Sequence, residues 1–156
     1  MLHEKIRADV EFTLSEIERE IDSTKPLFLL AAENRLDIIY TMAAAAVLHS
    51  IYSAIESIFA LIQKRIDGRL PESGQWHRTL LDAMTRKTEH RPPVISDNCR
   101  DTLADYLAFR HKFRHGYGWQ LDSVKVALKL TLLPQVIEET RKEIENFLNL
   151  VEPKDI

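Results

Sequence analysis

The stretch AFRHKFRHGYGW, residues 108–119, packs two histidines, two arginines and a lysine into six consecutive positions and then turns on Gly-Tyr-Gly. An imidazole can move a proton near neutral pH, and a guanidinium can hold an oxyanion in a two-pronged grip. Arg110, His115 and Tyr117 stand in the spacing R-x4-H-x-Y. One reading is acid-base chemistry on an anionic group, with Arg110 and His115 as the working pair. The other is structural, with both side chains ending a helix and pairing with nearby carboxylates. His111 and His115 are also i,i+4 neighbours, a spacing that can hold a transition metal on a helix face. No carboxylate or thiolate lies at a matching local position, so no metal and no cofactor are expected.

These side chains need a helix to carry them. Cys99, Leu103, Tyr106, Phe109 and Phe113 advance by four, three, three and four residues, which is one apolar stripe on a helix that Ser96 can cap, with Asp97 and Asp101 near its positive end. Arg110 and Arg114 fall on the flank beside that stripe. On an undisturbed helix Arg110 and His115 point about 140° apart. Gly116 and Gly118 are therefore expected to end the helix through a left-handed turn that re-aims the last side chains. Tyr117, held between two glycines, suits an accessible loop. His111, Lys112 and Arg114 are candidates for holding phosphate, with a solvated cationic face as the alternative.

Upstream, Ile6, Val10, Leu14, Ile17 and Ile21 recur at helical spacing and predict a first helix from Leu2 to about Ile21. DSTKP breaks it. A long second helix is expected to begin between Pro26 and Asn34 and to end near Asp67, where DGRLPESG stops it. Residues 38–55 of that helix lack any Asp, Glu, Lys or Arg. Its alanines, His49, Ser50 and Ser53, and the seam of Leu48, Ile51, Ile55, Ile58 and Ile62, predict a buried bundle helix and no membrane insertion. Glu56 and His49 sit seven apart on one face of this run, where they could line a cleft or hydrogen-bond inside the bundle. A short helix follows from Trp76 to about Lys87, in which Trp76 and His77 are read first as packing residues and second as a surface on which a base could stack. A final helical stretch, residues 122–150, should be kinked or divided at Pro134.

At 156 residues and 45% apolar content, the sequence predicts one all-α domain spanning residues 1–156, an antiparallel bundle of four to five helices. The net charge of −3 argues against a general nucleic-acid coat. Residues 76–115 are nonetheless basic, with eight Lys/Arg against five Asp/Glu and four of the six His. Cys99 is the lone cysteine, and the first residues lack the apolar region of a secretion signal, so a cytoplasmic location is expected.

The motif in its context resembles the HEPN superfamily, and specifically the HepT-like ribonuclease toxins. The segments LHSIYSAIESIFALIQKRIDG, LPESGQWHRTLLDAM, RPPVISD and YLAFRHKFRHGYG carry the resemblance over residues 48–118. It implies a homodimer with two R-x4-H motifs across a shared cleft and metal-independent cleavage of RNA. It also implies an MNT-type nucleotidyltransferase antitoxin as partner, which transfers AMP to the motif tyrosine, here Tyr117. His115 and Arg110 are the right types for such cleavage, one to move a proton and one to stabilise charge building on phosphorus. On this reading Arg110→Ala and His115→Ala abolish cleavage and leave stability nearly unchanged. The alternative is a catalytically silent HEPN-like adaptor that binds nucleotide or a partner protein through the same basic cleft.

Overall fold

A computed structural model describes residues 2–72, 74–117 and 120–151. Gly118, Trp119 and the EPKDI tail lie outside the described residues. Among the described residues there are six α-helices and no strand: α1 Leu2–Ser23, α2 Lys25–Ala32, α3 Ile38–Ile62, α4 Trp76–Ala83, α5 Asp97–His115 and α6 Ser123–Val151. The all-α bundle is as expected, with one short helix more. Lys25–Ala32 does not lead into the long helix. Asn34 takes a left-handed conformation at φ 59°, and Asp37 opens α3 afresh by accepting the Tyr40 N–H at 2.8 Å.

α3 is the central element. Its buried positions include the expected seam of Leu48, Ile51, Ile55, Ile58 and Ile62. Around it pack α1 through Ile6, Val10, Leu14 and Ile17, α5 through Leu103 and Tyr106, and α6 through Leu130, Leu133, Ile144 and Phe147, all in one contiguous core. The helix has the length and apolarity of a membrane span, and more than half of its most apolar stretch is buried inside the bundle. It continues into a π-helical turn, Gln63–Asp67, closed by the Gly68 N–H on the Gln63 carbonyl at 3.1 Å. Gly68 sits at φ 93°, where a side chain would be strained, so the DGRLPESG stop acts through this one residue.

Pro134 neither divides α6 nor ends it. The helix runs unbroken through Val151 with the ring on an exposed side, forfeiting one backbone hydrogen bond while the flanking Leu133 and Ile137 stay buried.

The connection between α4 and α5 is irregular, and one arginine organises it. Arg91 is fully buried at its side chain and donates to Asp67 at 2.9 Å, to the Arg86 carbonyl at 3.0 Å and to the Ala83 and Pro92 carbonyls at 3.3 Å. It thereby satisfies loop carbonyls that have no helical partner. Val94 and Ile95 follow into the core, each donating its N–H to the Met84 carbonyl. Arg91→Ala should remove the cation that pairs with Asp67 and the donor to the Arg86 and Pro92 carbonyls, lowering stability by about 3–5 kcal/mol in urea unfolding, whereas a change below about 0.5 kcal/mol would show that the loop holds itself.

Candidate functional site

Ser96 caps α5 as the sequence predicts, accepting the Cys99 N–H at 3.1 Å, and its own N–H donates to Glu143 of α6 at 2.9 Å. Cys99 is partly buried against Thr140, and burial pushes its thiol up to about 12, which makes it inert near neutral pH. Leu103 and Tyr106 seat the helix, with the Tyr106 hydroxyl donating to the Lys129 carbonyl at 2.8 Å. These contacts anchor the first turns of α5 against α6.

Arg110 does not lie on the flank. Its side chain is 5% exposed and reaches into the bundle against α3. Nη1 donates to Glu56 at 3.2 Å and to Ser53 Oγ at 3.2 Å, while Nη2 donates to Glu56 at 3.0 Å. Nη2 also lies 2.9 Å from His77 Nδ1 of α4, and the guanidinium carbon stands 4.9 Å from the centre of the Tyr52 ring. Glu56, the one charge in the apolar run of α3, is therefore buried because Arg110 meets it with two parallel hydrogen bonds. Burial, with the Glu56 carboxylate, pushes the Tyr52 phenol above its ordinary value. His49, one helical turn before Ser53, packs its ring 5.7 Å from Phe113, and burial together with Arg110 and Arg114 holds its imidazole below its ordinary value.

His115 lies elsewhere. α5 continues to His115, so the 140° offset from Arg110 stands, and Gly116 adopts an extended conformation at φ −107° and ψ 173° rather than a left-handed one. The expected re-aiming of the last side chains by Gly116 does not occur. The glycine is needed for space: a Cβ there would stand 2.9 Å from the Lys112 carbonyl oxygen that accepts the Gly116 N–H. Arg110 and His115 are not brought together within this chain.

What His115 joins is a second, exposed site. His111, Lys112, Arg114 and His115 all face outward, and the His111 and His115 rings meet at 4.5 Å. A cavity of about 590 Å³ opens between the end of α5 and the start of α6, lined by His111, Lys112, His115, Tyr117, Lys125 and Lys129 over an apolar floor of Phe109, Leu121 and Val126. Burial holds the Lys129 ammonium below its ordinary value, with Asp105 opposing, and its Nζ lies 4.9 Å from the centre of the Tyr106 ring. Tyr117 is 71% exposed at this cavity, and Arg114 is exposed outside its lining.

Three members of these sites are missed by reading the motif alone. Lys125 and Lys129 belong to a different helix, and their shared spacing of i,i+4 at the start of α6 is the only sequence signal they give. His77 stands in WHRTLL as an apparent packing residue, and its ring does pack on Trp76 at 3.7 Å between centroids. Its Nδ1 nevertheless lies 2.9 Å from both oxygens of Glu56, a contact across 21 residues that no local pattern announces.

A family model described as HepT-like protein matches residues 43–151, which takes in most of α3 and all of α4, α5 and α6. No curated protein and no solved structure matches the chain.

The burial of Arg110 corrects the expectation that its removal spares the fold. Glu56→Ala, which strands the guanidinium, should cost about 3–5 kcal/mol, and Arg110→Ala should cost a similar amount. His115→Ala, at an exposed position, should stay within about 0.5 kcal/mol of the wild type. Urea midpoints of the three variants check this ordering, and equal stability of all three would contradict it.

Proposed function

The chain belongs to the HepT-like protein family, and on that premise we propose that it is a metal-independent endoribonuclease toxin silenced by nucleotidylation of Tyr117. The observation that carries the reading is the exposure of Tyr117 beside His115 at a cavity walled by His111, Lys112, Lys125 and Lys129. Its three lysines, Lys112, Lys125 and Lys129, outnumber the two carboxylates that also line it, Asp105 and Asp122, so in an acidic chain the recess is locally cationic and suited to a phosphodiester backbone. Its volume accommodates a nucleotide, and its apolar floor suits a base.

Cleavage on this reading uses the ribose as nucleophile. The 2′-oxygen attacks phosphorus, its proton passes to a base, the bond from phosphorus to the 5′-oxygen breaks, and an acid returns a proton to that oxygen. A 2′,3′-cyclic phosphate results, with no protein nucleophile. His115 is the proton-transfer group, with Lys112 and His111 holding phosphate and Arg114 drawing the strand in from outside. One chain offers one such histidine, so a homodimer with two His115 side chains at a shared cleft divides the acid and base roles. Arg110 enters by fixing α5 and by the part of its guanidinium that a bound strand can recruit.

Silencing follows from the same recess. The Tyr117 phenol oxygen attacks the α-phosphorus of ATP on an MNT-type nucleotidyltransferase, the phenol proton leaves and pyrophosphate departs. The adduct places a negative phosphodiester, a ribose and a base at the cavity that RNA would use. Lys112, Lys125 and Lys129 are its cationic neighbours, and Arg110, already engaged with Glu56, is not.

The saturation of Arg110 by Glu56 favours one second reading, an adaptor that binds RNA or nucleotide through the recess without cutting. Digestion of RNA by the purified protein separates the two. His115→Ala should lower cleavage by about 10² to 10⁴ with unchanged stability, and cleavage should survive EDTA. Retained RNA binding with no cleavage by the wild type selects the adaptor. Incubation with ATP and the nucleotidyltransferase should add one or more AMP masses to wild type and none to Tyr117→Phe; modification at Tyr106 or a lysine instead removes Tyr117 from the account.

A further inference from the structure

The guanidinium of Arg110 has four Nη hydrogens, and four acceptor positions surround them: Ser53 Oγ, the two Glu56 oxygens and His77 Nδ1. As it stands, neither Nη has a hydrogen left for a phosphate oxygen. His77 is the member whose contact is conditional. Its Nδ1 lies 2.9 Å from Arg110 Nη2, a donor, and 2.9 Å from both Glu56 oxygens, which are acceptors. One ring nitrogen carries either a lone pair or a proton, and it cannot satisfy both neighbours at once.

The two protonation states choose different partners. In the neutral ring with its hydrogen on Nε2, Nδ1 holds a lone pair, accepts from Arg110 and offers nothing to Glu56; the imidazolium carries a hydrogen on both nitrogens. With a proton on Nδ1, the ring donates to Glu56, and Nη2 then faces a donor and loses its acceptor. The charged imidazolium also competes with Arg110 for the same carboxylate. Nε2 makes no hydrogen bond among the described residues, and the side chain is 30% exposed, so the ring is in contact with solvent. Trp76 covers one side of it. The charged and titratable groups that face this cluster are Glu56, Tyr52 and His49 on α3, Arg110, Arg114 and Arg100 on α5, and Arg78 and Asp82 on α4 itself. The last two and Arg100 are joined through Asp82, Arg78 at 3.2 Å and Arg100 at 3.1 Å. Glu56 and Arg110 are thus the two charged partners that meet the His77 ring nitrogen directly.

We propose that His77 is a proton-controlled positioning residue for Arg110: neutral with its hydrogen on Nε2, it completes the cage around the guanidinium; as the imidazolium, it takes Glu56 and frees an Nη2 N–H, loosening the hold on Arg110. The release is a property of the Glu56, His77 and Arg110 cluster alone. Its consequence for RNA rests on the ribonuclease reading above, and the two are tested separately.

The full-length protein, labelled with ¹⁵N and ¹³C, is titrated between pH 4.5 and 9 while the His77 ring and the Arg110 guanidinium are followed by NMR. The Arg110 resonances should move with the same midpoint as the His77 ring, and in His77→Asn, which keeps an amide at the Nδ1 position but cannot titrate, they should show no inflection there. Arg110 resonances that stay constant while His77 titrates, a neutral His77 ring that carries its hydrogen on Nδ1, or a ring that does not titrate in this range, overturn the proposal. Should the variant fail to fold, the coincidence of the two wild-type titrations decides alone. With an oligoribonucleotide substrate, log kcat/KM against pH should lose in His77→Asn one limb with a slope of about one, the signature of a single proton, while the limb due to His115 persists. Superposable profiles for wild type and variant also overturn it. Failure of the wild type to cut RNA removes the ribonuclease reading and leaves the NMR titration to decide the coupling.

Discussion

A carboxylate and a guanidinium withdrawn from water must find each other, because each alone would cost several kcal/mol, and Glu56 and Arg110 meet this constraint with two parallel hydrogen bonds between α3 and α5. Such a pair adds little net stability over apolar residues of the same size. What it adds here is orientation. Leu103 alone could slide against an apolar neighbour and Tyr106 is held by one hydrogen bond to the Lys129 carbonyl, whereas a bidentate ion pair near the end of α5 tolerates neither rotation nor shift. With Arg110 turned inward, His111, Lys112 and His115 are necessarily turned outward.

The motif is consequently two sites on one helix end. The inner one is an electrically balanced cluster in which Ser53, Glu56, His77 and Tyr52 enclose the guanidinium. The outer one is a cationic recess in a chain of net charge −3. The recess gains from that contrast: an acidic surface elsewhere repels a polyanion and leaves this place as the favourable approach, an effect that salt screens over about 8–10 Å. Gly116 closes the helix tightly enough to leave Tyr117 beside it, because no side chain fits against the Lys112 carbonyl.

Much of this was legible in the sequence. The seam from Leu48 to Ile62, the Ser96 cap, the stripe of α5 and the stop after Asp67 are local patterns, and local patterns transfer directly into helices. The start of α3 at Asp37 lies beyond the Pro26 to Asn34 window that the sequence suggests, because the left-handed turn at Asn34 separates the two helices. Glu56 gave a signal as the lone charge in an apolar run, since a buried carboxylate demands a cation. Which cation was not readable, because Arg110 is 54 residues away and Arg114 fits the same helical face in the sequence. His77 was harder still: its partners come from α3 and α5, and only packing puts them together. The family match over residues 43–151 establishes the kinship.

The central claim is that Glu56 and Arg110 act as one buried unit that sets the rotation of α5. A double-mutant cycle by urea unfolding, comparing Glu56→Ala, Arg110→Ala and the double variant, measures it directly. Strong non-additivity is expected, a coupling of about 2–3 kcal/mol, with the double variant more stable than the sum of the single losses implies. Additive losses, with a coupling below about 0.5 kcal/mol, would mean that the two side chains are independent and that some other contact orients the motif.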